Sequence, residues 1–306
     1  MRIATADEVL ETSCGLVKKP ETVNYRTFKP EHDGLWCARI FGPTEDDECL
    51  CGRLKGEVHR GATCAKCGVT VGTKEVRHTR FGHIDLPVPV IHPFAYGEGR
   101  DHVARLLSLS SEDVANLAGW NHVRVDDPGE TSFAVGAVLD EATVDDALMG
   151  YGEFGRSRGA VAVQNALADD ETMVLSRLPV LPPGLRPMES LEDDRFQTHP
   201  VTDLYRRVVN RANRLKRLLE LKAPVVITNT EARMLQEAVN ALYDNGFHGK
   251  TITRPDGERM LCLRDLYEAE HGAMGADVLA GGELATARWM DAFALAAGGA
   301  SEEEFD

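Results

Sequence analysis

Positive charge is scarce in this sequence. Its 306 residues include 34 lysines and arginines against 49 aspartates and glutamates, which gives a formal net charge of −15. A chain with this balance repels phosphate backbones and anionic membrane surfaces, so attachment to either over a broad surface is excluded. Any contact with nucleic acid is therefore expected to be weak and local.

Long apolar runs are also missing. No stretch of eighteen apolar residues occurs, and Asp7 and Glu8 interrupt the first segment before an apolar signal region forms. These absences predict no membrane partner. The seven cysteines are odd in number and do not form the framework of a small secreted protein, which favours a cytoplasmic location.

Familiar catalytic motifs are absent. The sequence has no glycine-rich phosphate loop, no Ser-His-Asp order and no H-E-x-x-H motif, so nothing indicates a hydrolase or a nucleotide-binding enzyme. The scattered histidines are interpreted as ordinary surface or core residues: His78, His83, His92 and His122. We expect no catalytic residue in this chain.

Four cysteines stand out against this background. Cys49, Cys51, Cys64 and Cys67 form a C-x-C pair and a C-x-x-C pair separated by twelve residues. Two such pairs close on one tetrahedral zinc ion with Zn–S bonds of about 2.3 Å. Four thiolates leave no open coordination position, so the pattern predicts one structural Zn²⁺ rather than a catalytic metal. His59 is the nearest substitute ligand and is expected to face solvent.

The distribution of apolar and turn-forming residues predicts an α+β protein of several parts. We expect a zinc-binding N-terminal lobe at 1–95, an acidic α+β middle region at 96–177, a connector plus helical hairpin at 178–255, and a divergent acidic C-terminal segment at 256–306. Smaller helices are predicted at 100–107, 111–118, 143–149 and 161–167, and the Ser111 hydroxyl is expected to cap the second of them. Strands are predicted at 121–125 and 131–138, a further helix at 284–295 and a frayed tail at 298–306.

The helical hairpin is predicted from apolar spacing. One helix is expected over 202–221 and ends before Pro224, and a second is expected over 230–244 with Thr230 as its cap. The first helix carries an apolar stripe consisting of Leu204, Val208, Ala212, Leu215 and Leu219. The second carries Leu235, either Ala238 or Val239, and Leu242. Antiparallel pairing would bury both stripes and leave the arginines outside.

Several long segments resemble a known family. Around the cysteines the sequence reads KKPETVNYRTFKPE at 18–31, GLWCARIFGP at 34–43 and GHIDL at 82–86. Further along it reads LPVLPPGLRP at 178–187, DLYRR at 203–207, RLKRLL at 214–219 and RMLQEAV at 233–239. In this order the segments resemble the N-terminal clamp region of the bacterial RNA polymerase beta-prime subunit.

This resemblance implies functions for the helical hairpin and for the cysteine segment. The hairpin would correspond to the clamp coiled coil, a protruding pair of helices that receives region 2 of a sigma factor. The implied sigma-binding residues are Asn210, Arg211, Arg214, Arg217, Gln236 and Glu237. The zinc ribbon of the family lies near nucleic acid, and the basic residues implied there are Arg53, Lys55, Arg60, Lys66, Arg77 and Arg80.

The sequence also departs from the family. The alternating aspartate motif that holds magnesium in beta-prime does not occur, so polymerisation by this chain alone is not expected. Three functions remain open: a non-catalytic sigma-binding mimic or regulator, a split polymerase segment that joins a separate catalytic piece, and a zinc-dependent nucleic-acid-binding protein. The sequence does not decide whether transcription is inhibited, redirected or activated.

Overall fold

The structure, a computed structural model, describes residues 5–97, 99–167, 173–190 and 196–271. Within these ranges the α-helices are α1 Ala6–Thr12, α2 Ala38–Phe41, α3 His102–Leu107, α4 Ser111–Ala118, α5 Glu141–Tyr151, α6 Gly159–Ala166, α7 Pro200–Glu220, α8 Val225–Tyr243 and α9 Leu263–His271. The strands are β1 Ser13–Leu16, β2 Phe81–Ile91, β3 His122–Asp127, β4 Val138–Asp140, β5 Gly155–Arg158, β6 Val174–Val180, β7 Glu189–Ser190 and β8 Phe196–Gln197. The fold class is α+β, as predicted.

The chain divides into two compact units, and each is built from separated stretches of sequence. The first contains Leu86–Ser176 and the described part of Arg211–Ala285, and the second contains Ala6–Asp85 and Arg177–Asn210. The four-part division predicted from the sequence stays a prediction. None of the described helices is both long enough and apolar enough to cross a bilayer.

The second unit contains the cysteine segment and a buried arginine. Arg186 is fully buried, and its guanidinium donates hydrogen bonds to the carbonyl of Leu181 at 3.0 Å, the hydroxyl of Thr202 at 3.2 Å and the carbonyl of Leu35. Burial lowers the pKa of Arg186 to about 9. Oxygen atoms from three separate stretches thus replace the water that this cation loses.

The first unit contains a small antiparallel sheet in the order β4-β3-β5. Apolar residues on one face pack against α5 in a cluster of Val123, Val125, Val144, Ala147 and Phe154. The alternation of buried valines along β3 is the pattern of a strand with one face in the core. The predicted strand at 131–138 is wrong over most of its length, because only Val138 of this segment belongs to a strand.

Two predicted helix starts need correction. The cap of α4 is Ser110, not Ser111, because the Ser110 hydroxyl accepts the Asp113 N–H at 3.0 Å and the Asp113 carboxylate accepts the Ser110 N–H. Helix α8 begins at Val225 rather than after Thr230, whose hydroxyl donates to the Val226 carbonyl within the helix. The predicted helix at 284–295 and tail at 298–306 lie outside the described residues.

Candidate functional site

Each cysteine pair lies on a tight turn. The Cys49 N–H donates to the Leu54 carbonyl, and the Cys64 N–H donates to the Val69 carbonyl, both at 3.0 Å. Gly68 follows the second pair with a φ of +69°, a conformation that glycine adopts without a steric cost. These turns direct both cysteine pairs toward one point.

The four sulfur atoms form one cluster. All of them lie within 4.8 Å of one another, and neighbouring sulfurs are 3.6 Å apart for Cys49 and Cys51 and 3.7 Å apart for Cys51 and Cys64. A tetrahedron with metal–sulfur bonds of about 2.3 Å has edges of about 3.8 Å. The cluster can therefore hold a metal ion with four ligands, as the spacing predicts.

Backbone N–H groups surround the sulfurs. The Leu54 N–H donates to Cys49 Sγ at 3.2 Å. The N–H groups of Cys67 and Lys66 lower the pKa of the Cys64 thiol to about 6. A lower pKa favours the thiolate, which is the form that ligates metal. Such N–H donors also fix the sulfurs in place, as hydrogen bonds to the ligands do in metal sites generally.

The six basic residues predicted near the cysteines differ in what they contact. The Arg60 guanidinium forms two hydrogen bonds of 2.7 Å with the Asp47 carboxylate, and the Lys55 ammonium lies 2.8 Å from Glu48. The Arg77 guanidinium is turned inward, where it donates to backbone carbonyls and where burial lowers its pKa to about 10. Arg53 and Lys66 are exposed, and Arg80 is half-buried.

An exposed aromatic turn was not predicted from the sequence. Tyr25 and Phe28 are 74% and 70% exposed. The Asn24 side chain accepts the N–H groups of Arg26 at 3.0 Å and Thr27 at 3.3 Å, which fixes the turn. Asparagine at the start of a short polar segment signals such a turn, but aromatic residues are more often buried. A rigid turn with exposed rings and an arginine is suited to stacking on nucleic-acid bases.

Two arginines of α7 share one buried carboxylate on α8. Arg211 Nη1 lies 2.8 Å from Glu231 Oε1, and Arg214 Nε lies 3.1 Å from Glu231 Oε2. The Glu231 side chain is 4% exposed, while the arginine side chains are 37% and 66% exposed. Sequence analysis missed Glu231, although it lies four residues before the buried Leu235 and an acid on an apolar stripe requires a cationic partner.

A cleft lies beside this ion pair. Its volume is about 350 Å³, and it is lined by Arg211, Arg214, Val226, Ile227, Thr230, Glu231 and Met234. Val226 and Ile227 are 75% and 48% exposed. The cleft therefore combines apolar side chains with two fixed guanidinium groups, a combination that is favoured at protein interfaces.

The other residues implied for sigma binding have different surroundings. Arg217 and Glu237 are exposed and lie 3.7 Å from Glu220 and Arg233, and Asn210 is exposed on α7. Gln236 is buried at 2% exposure, so it is not available to a partner at the surface.

The four-cysteine cluster and the arginine-bearing helices define the class of protein as an α+β protein with a candidate metal centre. The chain belongs to the family described as RNA polymerase Rpb1, domain 1, whose sequence model matches residues 1–108 and 160–266. This finding confirms the resemblance seen in the sequence.

Individual relatives agree with the family. The chain is 41% identical, over 90% of its length, to the DNA-directed RNA polymerase subunit beta' of Marinomonas sp. (strain MWYL1). It is also 41% identical, over 90% of its length, to the DNA-directed RNA polymerase subunit beta' of Bdellovibrio bacteriovorus and to that of Pseudoalteromonas translucida. The chain spans only 23% of the length of each of these relatives.

Proposed function

We propose that this chain acts in transcription as a non-catalytic, clamp-like protein that binds region 2 of a sigma factor through α7 and α8. The observation that carries the proposal is the pair of guanidinium groups fixed by Glu231 beside an apolar cleft. The family of the chain supports a role in transcription, since the relatives are polymerase subunits.

The proposal includes an antiparallel hairpin formed by α7 and α8, equivalent to the clamp coiled coil. The helices are separated by four residues only, and connections this short join antiparallel neighbours. Leu215 of α7 and Leu235 and Leu242 of α8 are fully buried, which supports apolar stripes that face inward. Leu219, predicted to continue the stripe, is 42% exposed near the end of α7.

The chemistry of the surface defines the partner. Arginine presents planar donors that match carboxylates, and its side chain loses less entropy on binding when it is already held in place. Glu231 holds Arg211 and Arg214 in this way. An acidic helix with an apolar side chain for the cleft, as expected of a sigma region, would therefore fit.

The four-cysteine cluster lies in the second unit, where it would act as a structural zinc site. A bound Zn²⁺ would supply folding free energy rather than chemistry. The local core around the cysteines is small, and its fully buried members are Ala38, Cys49, Cys64, Val69 and Val71. A core of this size supports a need for the metal.

A second candidate function is local nucleic-acid contact by the second unit. The exposed rings of Tyr25 and Phe28 favour it, together with Arg26 in the same turn. Such contact would accompany assembly with a separate catalytic piece of polymerase, because the relatives are much longer subunits. Catalytic activity is not proposed for this chain alone.

Binding of purified sigma region 2 to the full chain tests the proposal. Arg211→Ala and Arg214→Glu are compared with Lys216→Glu, which makes the same charge reversal at an exposed position pointing away from Arg214 on α7. We expect the two arginine variants to weaken binding by about tenfold or more and the control to stay within about twofold.

Other outcomes separate the alternatives. Co-purification with a catalytic polymerase subunit, without retention of sigma, favours the split-subunit function. Salt-sensitive retention of DNA that is lost in a Tyr25→Ala and Phe28→Ala double variant favours nucleic-acid contact. Equal weakening by Lys216→Glu would contradict a defined arginine surface.

A further inference from the structure

Residues 109–159 form a small structure with its own core. They contain α4, the three-stranded sheet and α5. The cluster around Val123 and Val125 is completed by residues from this same stretch, including Phe133, whose ring lies 5.9 Å from that of Phe154. The family model matches the chain on both sides of this stretch, at 1–108 and 160–266, and not within it.

The stretch is strongly acidic. It holds ten acidic side chains and three arginines. All three arginines pair with carboxylates nearby: Arg124 with Asp126 at 3.1 Å, Arg156 with Glu153 at 3.5 Å, and Arg158 with Glu141 at 2.7 Å. Because the positive charge is used internally, the outward surface is negative.

One face of α5 combines this charge with an exposed apolar side chain. Val144 and Ala147 bury the inner face of the helix. On the outer face Asp145 and Asp146 are exposed and Met149 is 82% exposed. Asp145 and Met149 are four residues apart, so they are neighbours on the helix surface. The two aspartates form no ion pair with the part of the chain that the structure describes.

We propose that this outer face of α5 is a docking surface for a basic amphipathic protein helix. Methionine is a flexible, polarizable side chain that suits contact with an apolar helix face, and Met149 is the apolar contact that this face offers. The neighbouring aspartates complement lysines or arginines that flank the apolar stripe of the partner. The negative surface repels nucleic acid and a second copy of the chain.

The surface is independent of the sigma proposal. The partner expected at α5 is basic, whereas the partner expected at Arg211 and Arg214 is acidic. A single ligand chemistry cannot satisfy both surfaces, so failure of one proposal leaves the other in place.

The test uses the full chain and a fluorescent synthetic helical peptide with leucines on one face and lysines on the other. Two matched peptides serve as probes of specificity: one has the same composition in scrambled order, and one has glutamate in place of lysine. Fluorescence anisotropy gives the affinities. We expect the basic amphipathic peptide to bind at least about tenfold more tightly than either matched peptide.

Variants then locate the surface. We expect an Asp145→Lys and Asp146→Lys double variant to weaken peptide binding by about tenfold and Met149→Gln to weaken it by about fivefold. Glu112→Lys on α4 and Glu130→Lys in the loop before β4 make the same change elsewhere in the stretch and should stay within about twofold. All these positions are exposed, so the variants should unfold at the same temperature as the original chain.

Nuclear magnetic resonance of isotope-labelled methionine methyl groups gives a second readout. On addition of the peptide we expect the Met149 signal to shift, while that of the buried Met260 stays in place. Equal binding of all three peptides, equal weakening by the control variants, or a shift at Met234 of the arginine cleft instead of Met149 would overturn the proposal. So would preferential binding of an oligonucleotide over the peptide.

Discussion

The side-chain amide of Gln236 pairs with both backbone groups of Ile91. The Ile91 N–H donates to Gln236 Oε1 and the Gln236 Nε2 donates to the Ile91 carbonyl, each at 2.8 Å. The same amide donates to Asn240, which in turn donates to the Tyr96 hydroxyl at 2.7 Å. This buried network attaches α8 to the end of β2. Gln236 is thus a structural residue beneath the proposed binding surface rather than part of it.

Replacement of Gln236 by leucine should destabilise the protein without a specific effect on sigma binding. The change leaves the N–H and carbonyl of Ile91 buried without partners, and we expect a loss of about 3 kcal/mol in the free energy of unfolding. Urea unfolding measures it. Glu237→Gln, one position along and exposed, should change the free energy by less than about 0.5 kcal/mol. A similar loss in both variants would contradict this role.

Removal of metal should unfold the cysteine segment. The expected zinc content is one ion per chain, measured by elemental analysis, and Cys64→Ser should abolish it. A chelator should lower the melting temperature by about 10 °C or more, because structural zinc contributes several kcal/mol. Cys14→Ser, at an exposed cysteine outside the cluster, should retain both the zinc and the melting temperature. Full stability after verified loss of zinc would contradict a structural role.

Glu231→Gln should weaken sigma binding while the fold is kept. The amide retains the shape of the side chain but loses the charge that holds Arg211 and Arg214, so their positions become less restricted. We expect affinity for sigma region 2 to fall by about threefold to tenfold. The loss in unfolding free energy should be about 1 kcal/mol or less, since both arginines are partly exposed.

The control for this variant is Glu220→Gln, which removes the exposed carboxylate 3.7 Å from Arg217. It should leave both affinity and stability nearly unchanged. If Glu231→Gln bound sigma more tightly, the carboxylate would be competing with the partner for the arginines instead of positioning them.

Stability should fall as the pH is lowered below about 6.5. Burial lowers the pKa of His248 to about 4, and that of His92 to about 3, from the ordinary value of 6.5. Between pH 6.5 and 4 the unfolded chain binds protons that the folded chain does not, so the stabilisation is complete above 6.5 and is lost on acidification. For His248 alone the change amounts to about 3 kcal/mol.

Urea unfolding at a series of pH values measures this slope. His248→Gln should make it shallower, because one imidazole with a strongly lowered pKa is removed. His32→Gln, at an exposed histidine, should leave the slope in place. A slope that does not change in His248→Gln would show that other groups govern acid unfolding.

Local sequence signals predicted the cysteine cluster and most helices, and long-range contacts explain what was missed. Cysteine spacing fixes ligand geometry within a short loop, and apolar periodicity placed α7 within two residues of its ends. The burial of Gln236 depends on Ile91, which lies 145 positions away in the sequence. No pattern near Gln236 reports that contact, and its predicted place on the sigma-binding face comes from the family resemblance alone.

The helix starts show the same limit at shorter range. Ser110 and Ser111 are equally good caps by residue type, and only the Asp113 carboxylate bonded to Ser110 decides between them. Val225 and Val226 fall in the predicted connector because Thr230 is taken as the cap of the second helix. In the structure they belong to the first turn of α8, where Pro224 precedes them.

The three oxygen contacts of Arg186 have a consequence during synthesis on the ribosome. They join Leu35 to Leu181 and Thr202, and the second unit as a whole combines Ala6–Asp85 with Arg177–Asn210. The early portion must therefore leave the exit tunnel and persist while Leu86–Ser176 is translated, which takes roughly 5 to 20 seconds at ordinary elongation rates. During that delay the cysteine segment is accessible to chaperones and to metal ions, because Arg177–Asn210, which completes the second unit, has not yet been synthesised.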